Sequence, residues 1–139
     1  MKRALFALPL LALVLPAQAQ GSFCNGLAQL VVAAPDYFEP LPTGRYIPGS
    51  QRELRSTTPR NPRGVYIAIM GHGSHAAMMG RFDSVVREVQ HCLPGRTPAV
   101  ENAGQERAAT WRLERAAIRV ALTGNAQQAD VQIMVVDRW

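Results

Sequence analysis

Between Ser22 and Ala34 the apolar residues Phe23, Leu27, Leu30, Val31 and Ala34 recur at the spacing of one helical face. This predicts a first helix, stopped by Pro35-Asp36 because the residue before a proline is pushed out of the helical region. From residue 35 to 63 the periodicity collapses into Pro, Gly, Ser, Thr and Arg, which reads as a long connection. Tyr37, Phe38, Leu41, Tyr46, Ile47 and Leu54 are its candidate anchors, with a short edge strand expected near Arg45 to Ile47. Val65, Ile67 and Ile69 then alternate with Tyr66, Ala68 and Met70, the period of a strand over residues 64 to 70.

A second helix follows directly. Met78, Phe82, Val85, Val86, Val89 and Leu93 form its apolar stripe, Arg81, Ser84, Arg87, Glu88 and His91 its wet side, and Ser74 is placed to cap it. Gly80 inside this helix suggests a close packing contact. After a loop from Pro94 to Gln105, Trp111 and Leu113 alternate with charged residues, then Ile118, Val120 and Leu122 do the same, with a tight turn near residues 114 to 116. Val131, Ile133 and Val135 mark a last strand. The order α-β-α-β-β-β, with hairpins at the C-terminal end, predicts an α+β two-layer sandwich: a mostly antiparallel sheet of about four strands with both helices on one face.

That face is expected to collect Val65, Ile67, Ile69, Trp111, Leu113, Ile118, Val120, Leu122, Val131, Ile133 and Val135. Alternation then turns Tyr66, Met70, Met134 and Val136 outward beside Arg112 and Arg119. Aromatic residues, methionine and arginine are enriched at protein interfaces, so Tyr66, Met70, Arg112, Arg119 and Met134 are the candidate partner surface, unless the 36–63 connection covers it. Arg52, Arg55, Arg60 and Arg63 give that connection a basic character suited either to solvent or to an acidic partner.

The N-terminus changes the compartment. Lys2 and Arg3, the apolar run Ala4 to Leu15, and Ala17-Gln18-Ala19 have the three parts of a signal peptide over residues 1–19. Cleavage after Ala19 would leave 20–139 as a single domain without a membrane span, exported to the periplasm or the extracellular space. Loss of Lys2 and Arg3 lowers the formal charge from +5 to +3, with every remaining basic residue an arginine. A balance that mild argues against a nucleic-acid partner. Cys24 and Cys92, alone in an oxidising compartment, are expected to pair as a disulfide at the helix ends.

All three histidines fall between residues 72 and 91, so candidate chemistry concentrates there. Gly71-His72-Gly73-Ser74-His75-Ala76 matches a dinucleotide fingerprint in form, between a strand and a helix, but no second parallel strand follows. The segment Gly71, His72, Gly73, Ser74, His75 remains a candidate anion or ligand turn. Ser74, with His75 or His91 and Asp83, lacks the flanking glycines of a nucleophile elbow. His72 and His75 are three apart, but His91 lies more than four helical turns beyond His75, so no metal set is complete. No catalytic residue, metal or cofactor is assigned. The pattern favours a small exported accessory or binding protein acting on another protein through a surface, with a ligand- or metal-binding protein or hydrolase centred on residues 71–75 as the alternative.

Overall fold

The computed structural model describes residues 8–58 and 61–137, with side chains described for 21–56 and 64–137. Two helices, α1 (Leu8–Ala33) and α2 (His75–Cys92), accompany six strands: β1 (Arg52–Thr58), β2 (Asn61–Gly73), β3 (Ala99–Ala103), β4 (Glu106–Arg112), β5 (Ala116–Gly124) and β6 (Ala129–Asp137). The strands form one antiparallel sheet in the order β1-β2-β6-β5-β4-β3, an α+β architecture. Two strands join the expected four. β1 lies inside the proline-rich connection, where Arg52 to Thr58 has no apolar alternation to announce it, and Arg45 to Ile47, the expected edge strand, is not extended in a ladder. β3, whose five residues are all exposed, occupies the other edge. Edge strands need only one neighbour and no buried face, which is why periodicity misses both.

α1 begins at Leu8 rather than Ser22, because the leucine- and alanine-rich run ahead of it continues the same helix, so Cys24 sits within α1. Lys2 and Arg3 lie outside the described residues. Phe23, Leu27 and Leu30 are buried as their spacing requires. Past Ala33 the chain makes a short 3-10 turn, Ala34–Asp36, and then places Tyr37 (φ 56°) and Phe38 (φ 64°) in the left-handed region. Two bulky residues there cost on the order of 1–2 kcal/mol each. The conformation is held by N–H bonds from Tyr37 to Ala34 (3.1 Å) and Phe38 to Ala33 (3.0 Å), and by the burial of the Phe38 ring against Tyr66, with centroids 5.5 Å apart.

In α2, Phe82, Val85 and Val89 are buried and Met78, Val86 and Leu93 pack beside them. Gly80 is exposed with open space around it, so the expected close contact is absent there. The close approach belongs instead to Gly26 of α1, where a Cβ would stand 1.7 Å from the Tyr46 carbonyl oxygen. That glycine lets the connection seat directly on the helix. Cys24 and Cys92 form the expected disulfide, tying α1 to the last residue of α2 with Cα atoms 5.3 Å apart. Closing 68 residues this way stabilises the fold by about 4 kcal/mol in the chain-entropy account.

Trp111, Ile118, Val120, Leu122, Val131, Ile133 and Val135 all face the helices and are buried, as alternation predicts. β2 is turned the other way. Tyr66, Ala68 and Met70 are the buried, helix-facing set, and Val65, Ile67 and Ile69 face outward and are partly exposed. Register carries the same result: Tyr66 stands opposite Val135 and Ala68 opposite Ile133, both on the helix side. Both alternating sets of β2 are apolar, so hydropathy could not choose between them. Ala68, fully buried, leaves room for packing above the sheet centre that a leucine-sized residue would obstruct.

Candidate functional site

The segment Gly71 to His75 is a strand end and a helix start, not a turn. β2 runs through Gly73, with Gly71 opposite Val131, His72 opposite Asp130 and Gly73 opposite Ala129. The register shifts between Ile69 and Gly71, a β-bulge in which Met70 and Gly71 both point toward the helices. A Cβ at Gly71 would stand 2.8 Å from Met78 Sδ and 3.1 Å from Arg81 Cγ, so a larger residue here would have to displace the Met78 and Arg81 side chains of α2. By inserting this residue the bulge restores His72 to the outer face of the sheet. There its Nδ1 lies 2.5 Å from Asp130 Oδ1, a pairing between residues 58 apart in sequence.

This geometry bears on each chemistry read from the motif. β2 is antiparallel to both neighbours, so the parallel strand that a dinucleotide fold requires is missing from its flanks. Ser74 is the helix cap: its Oγ accepts from Ala77 N (3.3 Å). His75 N already donates to Ala126 O (3.2 Å), so two of the three N–H groups ahead of the first helical bond are occupied. His75 Nε2 lies 2.7 Å from the Gln105 carbonyl. His72 and His75 thus engage separate partners. Among the described residues no group of three or more His, Cys, Asp or Glu is arranged to hold a metal ion.

The candidate partner surface divides. Tyr66 and Met70 are buried under the helices at 1% and 2% exposure and are corrected out of it. Arg112, Arg119 and Met134 are on the outer face, in cross-strand rows that register defines. One row runs Leu54, Ile67, Met134, Arg119, Thr110; the next runs Ser56, Val65, Val136, Ala117, Arg112. On the other side of the first, Arg52 stands opposite Ile69. The outer face is therefore apolar at Leu54, Val65, Ile67, Ile69, Met134 and Val136, bordered by Arg52, Ser56 and Gln132, and mixed small and polar over β5 and β4. Arg119 is drawn to the polar half by Thr110 Oγ1 (3.2 Å) and Glu101 Oε2 (3.3 Å).

The connection does not cross this face between residues 36 and 51. It packs on the helix side, held by a polar cluster that periodicity gave no means to find. Glu53 accepts from Tyr46 N (2.8 Å), Ile47 N (3.2 Å), Ser50 Oγ (2.6 Å) and the Tyr66 hydroxyl. Burial, reinforced by the bond to Glu53, pushes the Tyr66 hydroxyl well above its ordinary value of 10.0. Arg55, read as part of a basic loop, donates to the carbonyls of Phe38 (2.9 Å), Leu41 (2.9 Å) and Pro42 (2.8 Å) and lies over the Tyr66 ring. It is a structural clamp for the left-handed turn. Arg52 remains exposed on β1, while Arg60 and the Arg63 side chain fall outside the described residues.

The sequence matches no known family model, and comparison with characterised proteins gives no significant match. Among the described residues no helix is long and apolar enough to cross a membrane, which says nothing of a β-barrel. The disulfide fits a protein outside the cytoplasm.

Proposed function

We propose that this chain is an exported accessory or binding protein of the periplasm or extracellular space, working on another protein through the outer face of its sheet. The observation that carries the reading is the partly exposed patch of Leu54, Val65, Ile67, Ile69 and Met134 on that face. Arg52 and Arg112 stand exposed at its margins. An apolar centre with arginine at the rim is the composition of a protein contact rather than of a solvated sheet face. The basic, apolar and A-x-A segments of residues 1–19, together with the disulfide, support export.

The test is a photo-crosslinking side chain placed at residue 67 in the producing cell, with the same group at Asp83, an exposed position of α2, as the control. A discrete adduct is expected from 67 and not from 83. Arg52→Glu with Arg112→Glu, both exposed, should weaken it while moving the thermal midpoint little, because exposed charges contribute little to folding. An adduct of twice the chain mass would identify the partner as a second copy. No adduct at 67, or the same products from both positions, overturns the reading.

A further inference from the structure

On the opposite side of the molecule, the C-terminal half of α2 and the Phe23–Cys24 part of α1 frame a cleft of about 600 Å³. Phe23 on α1 and Pro48 in the connection supply its apolar walls; Ser84, Arg87, Glu88 and His91 supply its polar wall. These four occupy positions i, i+3, i+4 and i+7 of α2, a single helical face, which is why residues that read as an ordinary wet side line one concavity. The volume is within the roughly 300–1,000 Å³ of small-molecule sites.

Three constraints fix the walls before any ligand arrives. The Cys24–Cys92 disulfide joins the two helices at the cleft, and Cys24 is itself part of the lining. Gly26 admits the Tyr46 backbone against α1 one turn further on. Glu53 holds Tyr46, Ile47 and Ser50, the residues on either side of Pro48 and Gly49. A cleft built this way gives up little conformational entropy on binding.

Its charge points to the ligand class. Glu88 is the one carboxylate of the lining, and with an Arg81 guanidinium nitrogen 4.0 Å from it, Arg81 and Arg87 together outnumber it. Arg87 and His91, both exposed, have no side-chain hydrogen bond within the described residues and are left to meet an anion. Pro48, exposed, is the apolar surface open to a ring or a short alkyl body, with the small part of Phe23 that stays open (5% exposure) beside it. We infer that this cleft binds a small organic carboxylate with an apolar body, the carboxylate on Arg87 and His91 and the body against Phe23 and Pro48. The inference is independent of the sheet-face reading.

The test uses phenylacetate as the probe on the protein with its disulfide intact, followed by amide chemical shifts. Millimolar phenylacetate should shift the amides of Phe23, Gly49 and residues 84 to 91 as one set. Arg87→Ala, a change at an exposed position that leaves the core intact, should weaken binding about tenfold or more, the worth of a charge-assisted hydrogen bond. The neutral analogue 2-phenylethanol should bind more weakly by a similar factor, and Ile67→Asp on the sheet face should leave binding unchanged. The inference is overturned if these amides do not move, if Arg87→Ala binds as well as the parent, or if the neutral analogue binds equally.

Discussion

The two faces of the sheet are made by the same strands, yet one is closed throughout and the other only in part. On the helix face Tyr66, Val135, Ile118 and Trp111 lie in one cross-strand row at no more than 1% exposure. One residue along the strands, on the other face, Leu54, Ile67, Met134 and Arg119 keep part of their surface, while Thr110 at the end of that row and Val136 and Ala117 in the next are buried. Both rows are mainly apolar in β2 and β6. Hydrophobicity therefore does not distinguish core from surface in this sheet; coverage by α1, α2 and the connection does.

The largest expected contrast is at Trp111. Trp111→Ala empties the largest fully buried side chain and removes its Nε1 bond to Gln90 Oε1 (3.1 Å), and should cost about 3–5 kcal/mol in denaturant unfolding. A loss below about 1 kcal/mol would mean that the helix face is not closed at β4.

A smaller effect tests the polar cluster that holds the connection on the helix side. Tyr66→Phe should cost about 1 kcal/mol near neutral pH, one hydrogen bond to Glu53. Because the folded Tyr66 hydroxyl titrates above its ordinary value of 10.0, its contribution is fully present below that pH and is lost as the pH climbs above it. The parent should therefore lose stability more steeply than Tyr66→Phe in alkaline unfolding curves. Superimposable curves would remove the hydroxyl from the energetics of the cluster.

The smallest effect is expected on the open face. Ile67→Thr keeps the β-branch and replaces a methyl-bearing arm that is already partly in water, so the isolated chain should lose less than about 1 kcal/mol. If urea unfolding shows a loss comparable to that of Trp111→Ala, the outer face is buried and the proposed contact surface is gone.

Periodicity was sufficient wherever one alternating set is apolar and the other polar. In β4 and β5 the partners of Trp111, Ile118 and Val120 are Arg112 and Arg119, and the buried side could be read directly. The same holds for the stripe of α2 and the cap at Ser74. In β2 both sets are apolar, and the orientation was inverted along with the roles of Tyr66 and Met70. The candidate turn was misread for a related reason: Gly71 and Gly73 look like turn glycines, but they serve a bulge and close packing beneath Met78.

The sequence by itself determined the α+β class, the faces of α2 and of β4 to β6, and the pairing of Cys24 with Cys92, because period, cap and cysteine count are local or have one solution. Only the tertiary structure decided which side of β2 faces the helices, where Glu53 and Arg55 direct their hydrogen bonds, and that His72 meets Asp130. Those outcomes depend on what lies across the sheet or above it, at separations of 3 to 58 residues, where the chain carries no periodic trace of its neighbour.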